Sequence, residues 1–194
     1  MRNPYLVGTK IYLRPLEEDD AAVCHPWLND PEVWRTLAVR GRPNTEARSR
    51  EYIRALDPTR DQVFAIVTRE DEQYVGNCGL HAIDAVDRHA TLGIVIGRKE
   101  CWGRGFGTEA VRLLCGHAFQ TLNLHKVCLA SYASNGRGLR MYASVGFRVE
   151  GRRRDQVFIE GRWVDEVVLG LLAGDLRPPP GRTPGRAGRR AAAG

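Results

Sequence analysis

The chain has 194 residues, 43% hydrophobic and 27% charged, with a formal net charge of +6. That length fits one domain and buries enough surface to need no disulfide or metal staple. The composition excludes collagen-like, coiled-coil and wholly disordered chains. Of the net +6, residues 175–194 supply +4, from five arginines against Asp175, and the first 174 residues carry only +2. A body so weakly basic does not announce a nucleic-acid binder. No apolar run reaches 18 residues, and Met1-Arg2-Asn3-Pro4-Tyr5 opens no secretory signal. The five cysteines are scattered, with no CxxC pair, so no metal site is expected and reduced thiols in the cytoplasm fit best.

Residues 9–16 alternate as a first strand. Glu17-Glu18-Asp19-Asp20 puts acids where a helix begins, and Pro26 and Pro31 keep that helix short. Asn44-Thr45 before Glu46 opens a second helix to about Leu56. Val63–Thr68, Tyr74–Leu80 and Ala90–Gly97 read as a meander of three strands. Val111, Leu114, Ala118 and Leu122 then form a helical stripe over 108–122. Lys126–Ser131 is a short strand, and 135–145 is an amphipathic helix stopped by Gly146. Phe147–Ile159 and Trp163–Leu172 form a closing hairpin. The order β, α, α, βββ, α, β, α, ββ predicts a three-layer α/β domain around a mixed, mostly antiparallel sheet, spanning 1–174. Residues 175–194, rich in Arg, Pro, Gly and Ala, are expected to be a disordered tail.

The most distinctive local feature is Trp102-Gly103-Arg104-Gly105-Phe106-Gly107-Thr108, which follows a strand and opens a helix. Glycines let backbone N–H groups approach a ligand, and the helix start favours an anion such as a pyrophosphate. A dinucleotide GxGxxG would need Gly where Thr108 stands, and no Gly-Lys-Ser/Thr follows for a Walker loop.

With its flanks, this loop resembles the GNAT N-acetyltransferase superfamily, and most closely the branch of ribosomal-protein N-terminal and spermidine acetyltransferases. The resemblance is carried by Ile11-Tyr12-Leu13-Arg14-Pro15-Leu16, Trp27 through Val33, Gly93 through Gly97 with the loop, Ser134-Asn135 through Phe147, and Gly161 through Glu166. Trp102 replaces the Gln or Arg usual at the head of the family loop. The resemblance implies that acetyl-CoA donates an acetyl group to an amine. It implies that Trp102, Gly103, Arg104, Gly105, Phe106, Gly107 and Thr108 hold the pyrophosphate, and that Ile94, Val95 and Ile96 pair with the pantetheine arm. Asn135 then contacts the cofactor or a bound water, and Tyr142 is the general acid for the leaving thiolate.

The same resemblance leaves the base unassigned. Relatives often carry Glu where Thr91 stands, and a threonine hydroxyl does not accept the proton as a carboxylate does. Water-mediated removal, or His81, Asp84 or Glu109, are the alternatives; His81 also reads as an ordinary structural strand residue. Cys78 and Cys101, without a positioned histidine, read as inert. The competing functions are a non-catalytic acyl-CoA-binding module, and a ribosome- or RNA-associated protein using the arginine tail. The acceptor, a protein N-terminus or a small-molecule amine, is not legible. A homodimer is compatible with this reading, and a membrane partner is not expected.

Overall fold

The computed structural model describes residues 1–178. Eight strands form one sheet: β1 (Leu6–Val7), β2 (Ile11–Pro15), β3 (Gln62–Thr68), β4 (Tyr74–Asp84), β5 (His89–Ile96), β6 (Lys126–Tyr132), β7 (Arg148–Ile159) and β8 (Arg162–Leu172), in the order β1-β2-β3-β4-β5-β6-β8-β7. Five helices join them: α1 (Ala21–Cys24), α2 (Pro31–Trp34), α3 (Glu46–Arg54), α4 (Phe106–Gln120) and α5 (Gly136–Val145). The fold is the α/β domain with a mostly antiparallel sheet that the element order predicts; β5–β6 is the one parallel pair among the described strands.

The pleat sorts side chains to two faces. Ile11 and Leu13 of β2, with Phe64 and Ile66 of β3, face the main core under α4 and α5. Tyr12, Ala65 and Val67 point the other way, into a smaller cluster with Cys24 and Trp27. The α4 stripe is buried as the 3.6-residue period requires: Ala110, Val111, Leu114, Cys115 and Ala118 lie at 0% exposure. Val111 and Leu114, the large apolar side chains of this stripe, contribute roughly 1.5–3 kcal/mol each by leaving water.

Some boundaries differ from those predicted. β1 is two residues long, too short for a periodic signal, and exists because Leu6 and Val7 pair with Leu13 and Tyr12. β4 runs on to Asp84 because β5 supplies partners as far as His89, with an irregularity where Ala82 is left-handed (φ 48°). The region 17–34 is broken into 3-10 turns and two short helices, with Pro31 at the start of the second. α4 begins at Phe106, because Gly105 takes the left-handed cap position (φ 87°).

Of the expected tail, the first residues pack onto the fold. Leu176 lies against the main core, Arg177 N donates to Val145 O (2.8 Å), and Arg148 pairs with Asp175 (2.6 Å). Residues 179–194 lie outside the described residues. Among the described residues no helix is long and apolar enough to cross a membrane.

Candidate active site

The site begins where two strands part. β5 and β6 pair only at His89–Lys126, Ala90–Val127 and Thr91–Cys128, after which β5 continues without β6. On its other edge β5 stays paired with β4, and Gly97 N donates to Val75 O (2.9 Å). In an antiparallel pair the groups alternate sides, so Val95 and Gly93 also turn to β4. Ile94 and Ile96 therefore present their N–H and C=O groups to the gap. The indole Nε1 of Trp102 donates to Ile96 O (2.8 Å), which fixes the tryptophan at the gap's mouth.

A cleft of about 220 Å³ occupies this gap. Val33, Thr36 and Leu37 close one side, β5 forms its floor, and the glycine turn and the start of α5 close the other. Gly103 (φ 78°) and Gly105 (φ 87°) hold backbone conformations that other residues rarely adopt. The turn they make delivers the free N–H groups of α4's first turn to the cleft. Gly107 is different: a Cβ there would sit 3.6 Å from Ile96 and 3.8 Å from Ile94, ordinary contact.

Of the residues predicted to hold the cofactor, Ile94, Val95, Ile96, Trp102, Gly103, Gly105, Phe106, Gly107, Thr108 and Asn135 all line the cleft. Arg104 does not. Between two left-handed glycines its side chain turns outward, stacking on Phe106 (4.9 Å) in a second depression with Lys10 and Arg69. Lys10 Nζ donates to Arg104 O (3.1 Å), bracing the turn from behind. The positive group at the cleft is instead Arg137, which lies over the Trp102 ring at 4.1 Å. Sequence reasoning missed Arg137; its only signal is an arginine in the first turn of a helix, opposite an aromatic.

Asn135 caps α5, its side chain accepting from Gly138 N (3.0 Å), while also lining the cleft. Tyr142, two turns along, is buried, and its ring meets Phe147 edge-on (5.7 Å). Burial pushes its phenol up to about 12. It therefore keeps its proton at neutral pH.

The proposed alternatives for a base separate clearly. Glu109 is occupied: it accepts from Thr9 Oγ1 (2.7 Å) and Lys10 N (3.1 Å), tying the β1–β2 turn to α4. Asp84 accepts from Val86 N and Asp87 N (2.8 Å each), which hold it below the usual carboxylate range. Cys78 and Cys101 are buried, and burial raises both thiols. Thr91 is exposed on β5, opposite His81 of β4.

A family model described as an acetyltransferase (GNAT) domain matches residues 10–148. The uncharacterized N-acetyltransferase p20 of Bacillus licheniformis is 30% identical over 172 residues, covering 86% of this chain and 95% of the relative. The spermidine N(1)-acetyltransferase of Escherichia coli is 29% identical over 159 residues, covering 82% and 84%. Among solved structures, a spermidine N-acetyltransferase from Vibrio cholerae, in complex with CoA and spermine, superposes with a TM-score of 0.76 at 24% identity. It covers 87% of this chain and 98% of that one.

Proposed function

The chain belongs to the GNAT acetyltransferase family and is an acetyl-CoA-dependent N-acetyltransferase; on that premise we propose that its cleft carries out direct attack of a primary amine on the thioester. The observation that carries the reading is the parting of β5 from β6. It leaves the Ile94 backbone groups and the Ile96 N–H free beside a glycine turn and a buried phenol.

Each part has a chemical task. The Ile94 N–H and C=O and the Ile96 N–H, which face the gap, suit the amides of a pantetheine arm, which would lie along β5 as an added strand. The N-terminus of α4, opened by Gly103 and Gly105, suits the pyrophosphate, with Arg137 on Trp102 supplying positive charge near it. Val33, Thr36 and Leu37 line the side of the cleft across from the glycine turn. Tyr142 supplies a proton to the departing thiolate, and Asn135 holds the helix that carries Tyr142.

For the acceptor, we propose a single amine of low basicity, such as an α-amino group, rather than a polyamine. The acids that might have drawn a polycation are already paired. Arg2 binds Glu17, Arg54 binds Glu18, Arg50 binds Asp19 and Arg14 binds Asp20, while Lys99 binds both Asp30 and Glu32. An α-amine near pKa 8 is also partly neutral at pH 7, whereas a polyamine near 10 is not. Thiol release from acetyl-CoA over a panel of amines, with the product mass measured, tests this. An α-amine substrate with kcat/KM at least tenfold above spermidine is expected, and the reverse order refutes the acceptor class. The pairing of these acids counts against polycation binding here, although several relatives bear the spermidine name.

A further inference from the structure

His81 stands directly across from Thr91, the position that lacks a carboxylate. Its ring reaches along the sheet over two glycines: a Cβ at Gly79 would lie 3.1 Å from His81 Nε2, and one at Gly93 would lie 3.3 Å from it. The bare backbone of both strands is what admits the imidazole. Gly93 lies two residues past the last β5–β6 pair and two before Val95, which lines the cleft. At about 3.3 Å per residue, Gly93, which Nε2 overlies, is about 7 Å from the level of Val95 along the strand. Gly79, Gly93 and Val95 share one face of the sheet, that of Gly97, against which Trp27 packs.

The other ring nitrogen is held. Nδ1 faces Asp61 Oδ1 at 3.1 Å, and the same oxygen accepts from Ala82 N at 3.3 Å. A carboxylate opposite Nδ1 keeps the proton there and leaves the Nε2 lone pair free. Nε2 has no hydrogen-bond partner among the described residues, and the His81 side chain is 32% exposed. The other titratable groups near the pair are Tyr52 of α3, raised by desolvation and then by the Asp61 charge, Cys128 of β6 beyond Thr91, and Asp84 past the β4 irregularity. None of them is bonded to Nε2.

We propose that His81, oriented by Asp61, removes the proton from the incoming amine. The ammonium N–H bond breaks and its proton passes to Nε2. The freed nitrogen pair forms the N–C bond to the acetyl carbonyl carbon, the C–S bond breaks, and sulfur takes the phenolic proton of Tyr142. Acylation acidifies the remaining N–H of the attacking nitrogen; that proton leaves to solvent to give the neutral amide, the Tyr142 phenolate takes a proton back from solvent, and His81 releases its own. Asp61 is a positioning residue, and Thr91 leaves room for the longer histidine from the neighbouring strand. This deepens the acetyl-transfer reading and stands only with it.

The test is kcat/KM against pH for wild type, His81→Gln and Asp61→Asn, with two amines of different basicity, alongside acetyl-CoA affinity by calorimetry. Wild type is expected to show one acidic limb at the same pH for both amines. His81→Gln should lose roughly 10²- to 10⁴-fold in kcat, keep its acetyl-CoA affinity and lose the limb. Asp61→Asn should lose about tenfold in kcat and shift the limb. Should His81→Gln not melt as wild type does, His81→Ala with added imidazole decides, and a rate that rises with imidazole supports the base. Turnover of His81→Gln within threefold of wild type, survival of the limb, or no imidazole rescue overturns it. A wild type that acetylates no amine refutes the acetyl-transfer reading and this base together; an active wild type with an indifferent His81 refutes the base alone.

Discussion

Tyr142 is legible in the sequence as a tyrosine seven residues after the cap Asn135, on the apolar side of a helix. What the sequence does not show is its environment. Burial raises the phenol to about 12, so it remains a donor well past the working pH range. Tyr142→Phe keeps the ring and its edge-on contact with Phe147, and is expected to lower kcat by roughly 10²- to 10⁴-fold with acetyl-CoA affinity unchanged by calorimetry. A second buried titratable group sits away from the cleft. His117 packs edge-on against Tyr5 and Phe64, with Nε2 on Gln62 Oε1 at 2.9 Å, and burial lowers its pKa. The folded state therefore resists a proton that the unfolded chain accepts near pH 6.5. Stability from this group is present above about 6.5 and is lost as pH falls through that value, by at most about 1.4 kcal/mol per pH unit. Urea midpoints at pH 7.5 and 5 should differ less in His117→Gln than in wild type. The pairing of His81 with Asp61 was invisible in the chain, since twenty residues separate them and only the β3–β4 register brings them together.

At the scale of elements, the glycine turn is both the most legible feature and the one whose details the sequence hides. Three alternating glycines announce a close backbone approach, yet only Gly103 and Gly105 have positive φ, and that local geometry throws Arg104 outward. A β-branched residue at Gly105 must adopt a left-handed conformation costing about 1–2 kcal/mol, or move the turn. Gly105→Val is expected to weaken acetyl-CoA by at least a hundredfold while the domain still shows a cooperative melt. Gly107→Ala, whose new methyl meets Ile96 at contact distance, should cost less than a tenth as much in affinity. Calorimetry on both variants reads the difference. The strand and helix positions were readable from periodicity because these elements bury one face each. The segment 17–34 was readable only as acids and prolines, because its short turns are set by tertiary contacts such as Asp20 with Arg14 (2.6 Å).

At the scale of the whole molecule, the chain does not end its packing at β8. Arg177 bonds the C-terminus of α5 through both its backbone N–H and its guanidinium, and Leu176 covers the core beside it. A low-complexity composition conceals this, since one leucine and one arginine carry no period. Ending the chain at Gly174 is expected to lower Tm by roughly 4–8 °C, the equivalent of about 2 kcal/mol for a domain of this size; a scanning melt checks it. The architecture also has a seam. Strands β1 to β5 and strands β6 to β8 are joined within the sheet by three residue pairs. Amides at Ile94 and Ile96 are thus enclosed by secondary structure yet unbonded by it. They should exchange with deuterium orders of magnitude faster than their neighbours on the same strand, and slow when acetyl-CoA is added. On that outcome the donor acts as a further rung of the ladder, lengthening a join between the two halves of the sheet that three residue pairs already make.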